Sequence, residues 1–124
     1  MENNSQLYFD RDVCKKITEF WQKYGYYSAS FDELYKIIQQ HLIYNTVEYI
    51  EHDNLILGFA RYTIEGSTCI CYDAVIRKGY ENKDILKLLL IKGWKKYPLT
   101  TKLKFEREGT KMKEYEIAKF LGVK

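Results

Sequence analysis

The 124-residue chain is 46% apolar and 30% charged and has a single proline, which excludes a disordered or Pro-rich linker and suits one globular domain over residues 1–124. No apolar run exceeds the four residues 88–91, far short of the about 20 needed to span a membrane; three cysteines with neither CxxC nor His-pair spacing argue against a disulfide framework and against a metal site. The net charge of +3 divides unevenly, −5 over residues 1–76 and +8 over 77–124, so the C-terminal part favours an anionic partner and the N-terminal part does not.

The polar start, Met-Glu-Asn-Asn-Ser, lacks the order of a secretory signal, and the expected setting is the reducing cytoplasm. Asp10 is placed to cap a helix whose stripe is Val13, Ile17, Phe20, Trp21 and Tyr24, ended by Gly25. Ser30 and Glu33 form a capping box before a second stripe of Leu34, Ile37, Ile38, His41 and Leu42. From residue 46 the period changes to two. Strands are predicted over 46–51, 55–64 and 68–76, separated by the turn clusters His52-Asp-Asn and Glu65-Gly-Ser. A single alternation over 68–76 sets Cys69, Cys71, Asp73 and Val75 on one face, with the two thiols as small buried hydrophobes. A helix over 84–97 has Leu86, Leu89, Leu90 and Trp94 inward and Lys92, Lys95 and Lys96 at its C-terminal end, where they complement the dipole; Pro98 stops it. A strand over 100–106 and a helix over 110–121, closed by Gly122, complete the order ααβββαβα. That is an α/β (α+β) layered domain whose last strand lies parallel to the third.

Residues 43–122 resemble the GNAT (Gcn5-related N-acetyltransferase) fold. Leu55-Ile-Leu-Gly-Phe-Ala is similar to the family's "ivGfa" strand, Cys71-Tyr-Asp-Ala-Val-Ile to its central strand, and residues 84–94 to its cofactor-facing helix. Ala118-Lys-Phe-Leu-Gly is similar to the "lYeklGF" ending. The resemblance implies a loop after the central strand whose glycines let backbone N–H groups approach the coenzyme A pyrophosphate. Aligned on the helix, this sequence has Glu81 at the family's Arg/Gln position, Asp84 at its first glycine and Leu86 at its second. An offset alignment assigns cofactor binding to Arg77, Lys78, Gly79 and Lys83. The family's tyrosine acid falls at Ala118, with Tyr115 the nearest substitute, and general-base candidates are Glu48 and Glu51. The chain ends two residues after Gly122, and the family's closing strands are not expected.

These departures lead to the expectation of a non-catalytic GNAT-like accessory protein, of a kind suited to a phage or mobile element, that takes no cofactor and binds a macromolecular partner. The alternative is a divergent N-acetyltransferase that uses acetyl-CoA. The partner is expected to be a protein. The basic sector around Lys92, Lys95, Lys96, Lys102, Lys104, Arg107, Lys111 and Lys113 offers a weaker case for nucleic acid. The aromatic stretch Phe20, Trp21, Tyr24, Tyr26 and Tyr27 is either an exposed recognition patch or the anchor of the first helix; it or an unpaired edge strand would support a homodimer. His41 is expected to be a packed boundary residue, and no membrane is expected as a partner.

Overall fold

A computed structural model describes residues 8–25, 27–81, 84–105 and 113–122; Tyr26, Lys83, Arg107 and Lys111, and the side chain of Lys113, lie outside that set. Two helices, α1 (Arg11–Tyr24) and α2 (Phe31–Tyr44), precede three strands, β1 (Val47–His52), β2 (Leu55–Glu65) and β3 (Thr68–Ile76). Helix α3 (Ile85–Lys96), strands β4 (Lys102–Phe105) and β5 (Lys113–Glu116) and the short α4 (Ile117–Leu121) follow. The strands form one mixed sheet in the order β1-β2-β3-β4-β5, in which only β3 and β4 run parallel.

Local signals start the helices. Asp10 Oδ1 accepts the N–H groups of Asp12 and Val13 at 2.9 and 3.2 Å. Ser30 and Glu33 close the capping box reciprocally. Helices α1 and α2 cover one face of the sheet, where Trp21 meets Phe59 edge-on at 5.5 Å and Phe20 meets it at 6.1 Å. Phe20 and Trp21 are buried, so most of the aromatic stretch anchors α1, while Tyr27, stacked on Trp21, stays exposed. Helices α3 and α4 cover the other face through Leu89, Ile117 and Leu121 against Ala60, Cys71 and Leu103.

Two bulges break the strand alternation. Ile50 pairs with Gly58 but Glu51 with Ile56, leaving Leu57 extra in β2. Arg61 pairs with Asp73 but Tyr62 with Cys71, leaving Tyr72 extra in β3. The second bulge corrects the single face predicted for 68–76: Cys69 and Cys71 join the α3 core, whereas Val75 joins the α1/α2 core, with Asp73 on that side.

The end of the chain also differs from the predicted helix over 110–121. Residues 113–116 pair with β4 as a strand, and only 117–121 are helical. The period-two run Glu114-Tyr-Glu116 decides this. Glu114 reaches Lys102 and Lys104 at 3.5 and 3.7 Å, while Tyr115 lies opposite Leu103.

Helix α3 approaches the sheet closely at Gly58, where a Cβ would fall 2.8 Å from Ile85 Cγ2 and 3.1 Å from the Val75 carbonyl oxygen. Gly58→Ala is therefore expected to lose about 1–3 kcal/mol through overpacking. Urea denaturation followed by circular dichroism checks this; an unchanged midpoint would mean that α3 shifts without strain.

Candidate active site

The parallel β3–β4 pairing begins at Thr68–Lys102 and ends at Cys71–Phe105, yet β3 continues to Ile76. From Tyr72 onward that edge of β3 has no partner strand among the described residues. Among the described residues this leaves a wedge of unpaired backbone at the carboxyl ends of two parallel strands, the usual position for a ligand in an open sheet. Ala74 pairs with Ala60 on the α3 face and is nevertheless exposed on a central strand. At the end of β4, Phe105, Tyr115 and Phe120 pack together with centroids 5.2 to 6.0 Å apart. Tyr115, expected on a helix, thus stands on β5 beside the strand end where the wedge begins.

On the α1/α2 side, Arg61 Nε donates to Asp73 Oδ2 at 2.5 Å. The guanidinium lies 5.2 Å from the rings of both Trp21 and Tyr72, so cation–π attraction holds it in place. His41 Nδ1 sits 2.8 Å from Thr46 Oγ1, and burial, assisted by the Arg61 charge, holds the imidazole below its usual range. The Asp73–Arg61 pair is not visible in the sequence because the Tyr72 bulge that creates it has no sequence signature. The available signal was Arg61 itself, the one cation between Lys36 and Arg77.

Of the residues assigned to cofactor binding, Arg77 acts as a strut. Its Nε donates to the Ile56 carbonyl at 2.8 Å and an Nη to Tyr24 Oη at 2.9 Å, with the Phe20 and Tyr24 rings 5.5 and 5.0 Å away. Lys78 is exposed. Gly79 has φ +95°, and its N–H donates to Glu81 Oε1 at 2.8 Å. Asp84 precedes α3 at φ 59° without capping it.

The two carboxylates proposed as bases are kept apart and away from the wedge. Glu48 is buried on β1 and accepts Tyr62 Oη at 2.7 Å and Lys96 Nζ at 2.8 Å. Tyr62, desolvated and bonded to this carboxylate, is held well above the usual phenol range. Glu51 pairs with Lys16 of α1 at 2.6 Å. Lys92 donates to the Tyr49 carbonyl at 2.7 Å, so Lys92 and Lys96 of the basic sector are engaged within the domain. Lys96→Ala, which leaves the buried Glu48 with the Tyr62 hydroxyl as its remaining partner, should cost about 1–3 kcal/mol, and Glu48→Gln less, both read by urea denaturation.

Burial pushes the Cys69 and Cys71 thiols up to about 12 from an ordinary value near 9. Because the folded state holds these protons more tightly, the stability they contribute is complete below about pH 9 and falls as pH rises towards 12. Both thiols should react slowly with Ellman's reagent at pH 8 and rapidly in urea; equally rapid reaction in the native protein would contradict the burial.

No family model matches the chain, and no curated protein matches it in sequence. Solved structures do match in fold. Diaminobutyrate acetyltransferase EctA from Paenibacillus lautus, in complex with L-2,4-diaminobutyric acid and coenzyme A, superposes with TM-score 0.62 at 14% identity over 77% of this chain and 60% of that one. An acetyltransferase assigned to the GNAT family from Desulfovibrio desulfuricans gives TM-score 0.53 at 17% identity over 80% of this chain and 68% of that one. PaiA N-acetyltransferase from Thermoplasma acidophilum, in complex with coenzyme A, gives 0.51 at 17% over 81% and 73%. The fold is that of the GNAT acetyltransferases, and the chain spans about three-fifths of the length of the diaminobutyrate enzyme. Among the described residues no helix is long and apolar enough to cross a membrane.

Proposed function

We propose that the chain is an N-acyltransferase that takes its acyl group from acetyl-CoA. The observation that carries this reading is the β3 edge beyond Cys71, without a strand partner among the described residues, in a sheet of the fold that acetyltransferases share. The reading replaces that of a cofactor-free accessory protein, for which the structural neighbours offer no support.

The β3 edge suits the pantetheine arm of the cofactor. The outer backbone edge of residues 72–76 offers N–H and C=O groups to an extended pantetheine chain, in the manner of strand addition, and the exposed Ala74 leaves room above it. Gly79 at φ +95° and Asp84 at φ 59° give the following loop two left-handed residues, Asp84 in a conformation usual for the glycine it replaces in the family pattern. When bound, acetyl-CoA supplies a thioester carbonyl open to attack by an amine.

The chain's own contribution begins with Asp73. It lies on the strand that carries that edge, its carboxylate held by Arg61 of β2, and is the candidate to take a proton from an acceptor ammonium or amine. The rings of Trp21 and Tyr72 hold the guanidinium, which fixes the carboxylate's position. Tyr115 Oη is the candidate donor to a departing thiolate, held by Phe105 and Phe120. An N–H of the β3 edge would stabilise a developing oxyanion.

Isothermal titration with acetyl-CoA, with CoA alongside, is expected to give micromolar binding that Ala74→Trp abolishes by filling the wedge. Because Ala74 is exposed, that variant should fold, and its circular dichroism checks this. Asp73→Asn should keep the affinity and lower kcat toward an amine panel by about 10²- to 10⁴-fold. No heat from either nucleotide at high protein concentration would retire the proposal.

A further inference from the structure

We infer that Glu81 is a resident anion at the phosphate end of the site, occupying a backbone donor that an incoming pyrophosphate must reclaim. The inference rests on the acetyl-CoA reading above. Its basis is the contact between the Glu81 carboxylate and the Gly79 N–H, 2.8 Å long and exposed. Gly79 holds φ +95° with open space where a Cβ would stand, and among the described residues its N–H has Glu81 as its hydrogen-bond partner.

The neighbouring donors are treated differently. Helix α3 starts after Asp84, whose side chain makes no capping hydrogen bond. Among the described residues, the Asp84 side chain does not cap the first-turn N–H groups of α3, whereas the Gly79 N–H is already taken by a carboxylate two residues away. A charge-assisted hydrogen bond of this kind is short and strong for its size, and the ionised carboxylate also repels a phosphate approaching the same N–H. Glu81 thus weakens binding twice, by holding the donor and by its charge.

The structure also limits the effect to one end of the ligand. Glu81 lies past Ile76, beyond the end of the β3 edge that would take the pantetheine chain. A donor molecule without the pyrophosphate should therefore be indifferent to Glu81. This makes Glu81 an affinity- and specificity-determining residue, one that disfavours nucleotide-bearing thiols relative to bare pantetheine.

The test compares the full chain with Glu81→Gln, which keeps the shape and removes the charge, and with Glu81→Ala, which removes the acceptor as well. Isothermal titration is run on each with CoA and with pantetheine. Both substitutions are expected to tighten CoA about tenfold and to leave pantetheine unchanged, and the Gly79 amide signal in 15N-correlated NMR should shift in both. An unchanged CoA affinity in the variants, with binding still measurable, would overturn the role of Glu81 and leave the acetyl-CoA reading standing. An equal gain for pantetheine would overturn it too, by showing a general change in the wedge. If neither ligand binds any of the three proteins, the acetyl-CoA reading itself falls, and this inference with it.

Discussion

Much of the molecule depends on one extra residue. Tyr72 adds a step to β3 just where the pairing with β4 stops, so the strand changes face as it loses its neighbour. Before the bulge, Cys69 and Cys71 feed the α3 core; after it, Val75 feeds the α1/α2 core and Asp73 is turned toward Arg61. Without the bulge, Asp73 would lie with the two thiols under α3, an uncompensated charge in apolar surroundings. The bulge gives the carboxylate its Arg61 partner and keeps both cores apolar.

Most of the architecture was legible in the sequence because local chemistry and hydrophobic period agreed with tertiary packing. Asp10 and the Ser30–Glu33 box start their helices as read, and the turns at 53–54 and 66–67 join the strands as read. The failures came where period alone was ambiguous. Residues 113–116 alternate like a strand but precede a stretch that suits a helix, and cross-strand pairing of Glu114 with two lysines decided for the strand. The site was less legible, for a different reason. Glu48 and Glu51 lie three apart on one strand and so face opposite sides of the sheet, where two different helices give them unrelated partners, Lys96 and Lys16. Asp73 and Arg61 become a pair only through strand register, which a single sequence does not display.

The buried Glu48 cluster, far from the wedge, fixes α3 by its C-terminal turn. Lys96 bridges Glu48 and the Asn45 side chain, at 2.8 and 2.6 Å, and Tyr97 Oη donates to the Asn45 carbonyl at 2.9 Å. The polar anchor at one end of the helix and the close contact at Gly58 near the other set its line over β1 and β2. A helix held at both ends keeps the N–H groups of its first turn in place, since displacement of its axis would move them all together.

The Lys92 contact has a colloidal meaning. By donating to the Tyr49 carbonyl, it places a charged, hydrated ammonium across the outermost strand of the sheet. At the opposite margin β5 is four residues long. A flat, bare margin would invite other chains to extend the sheet indefinitely. Here the β1 margin is guarded by a cation and the β5 margin is short, so a strand that extends the sheet beyond β1 would first have to displace Lys92.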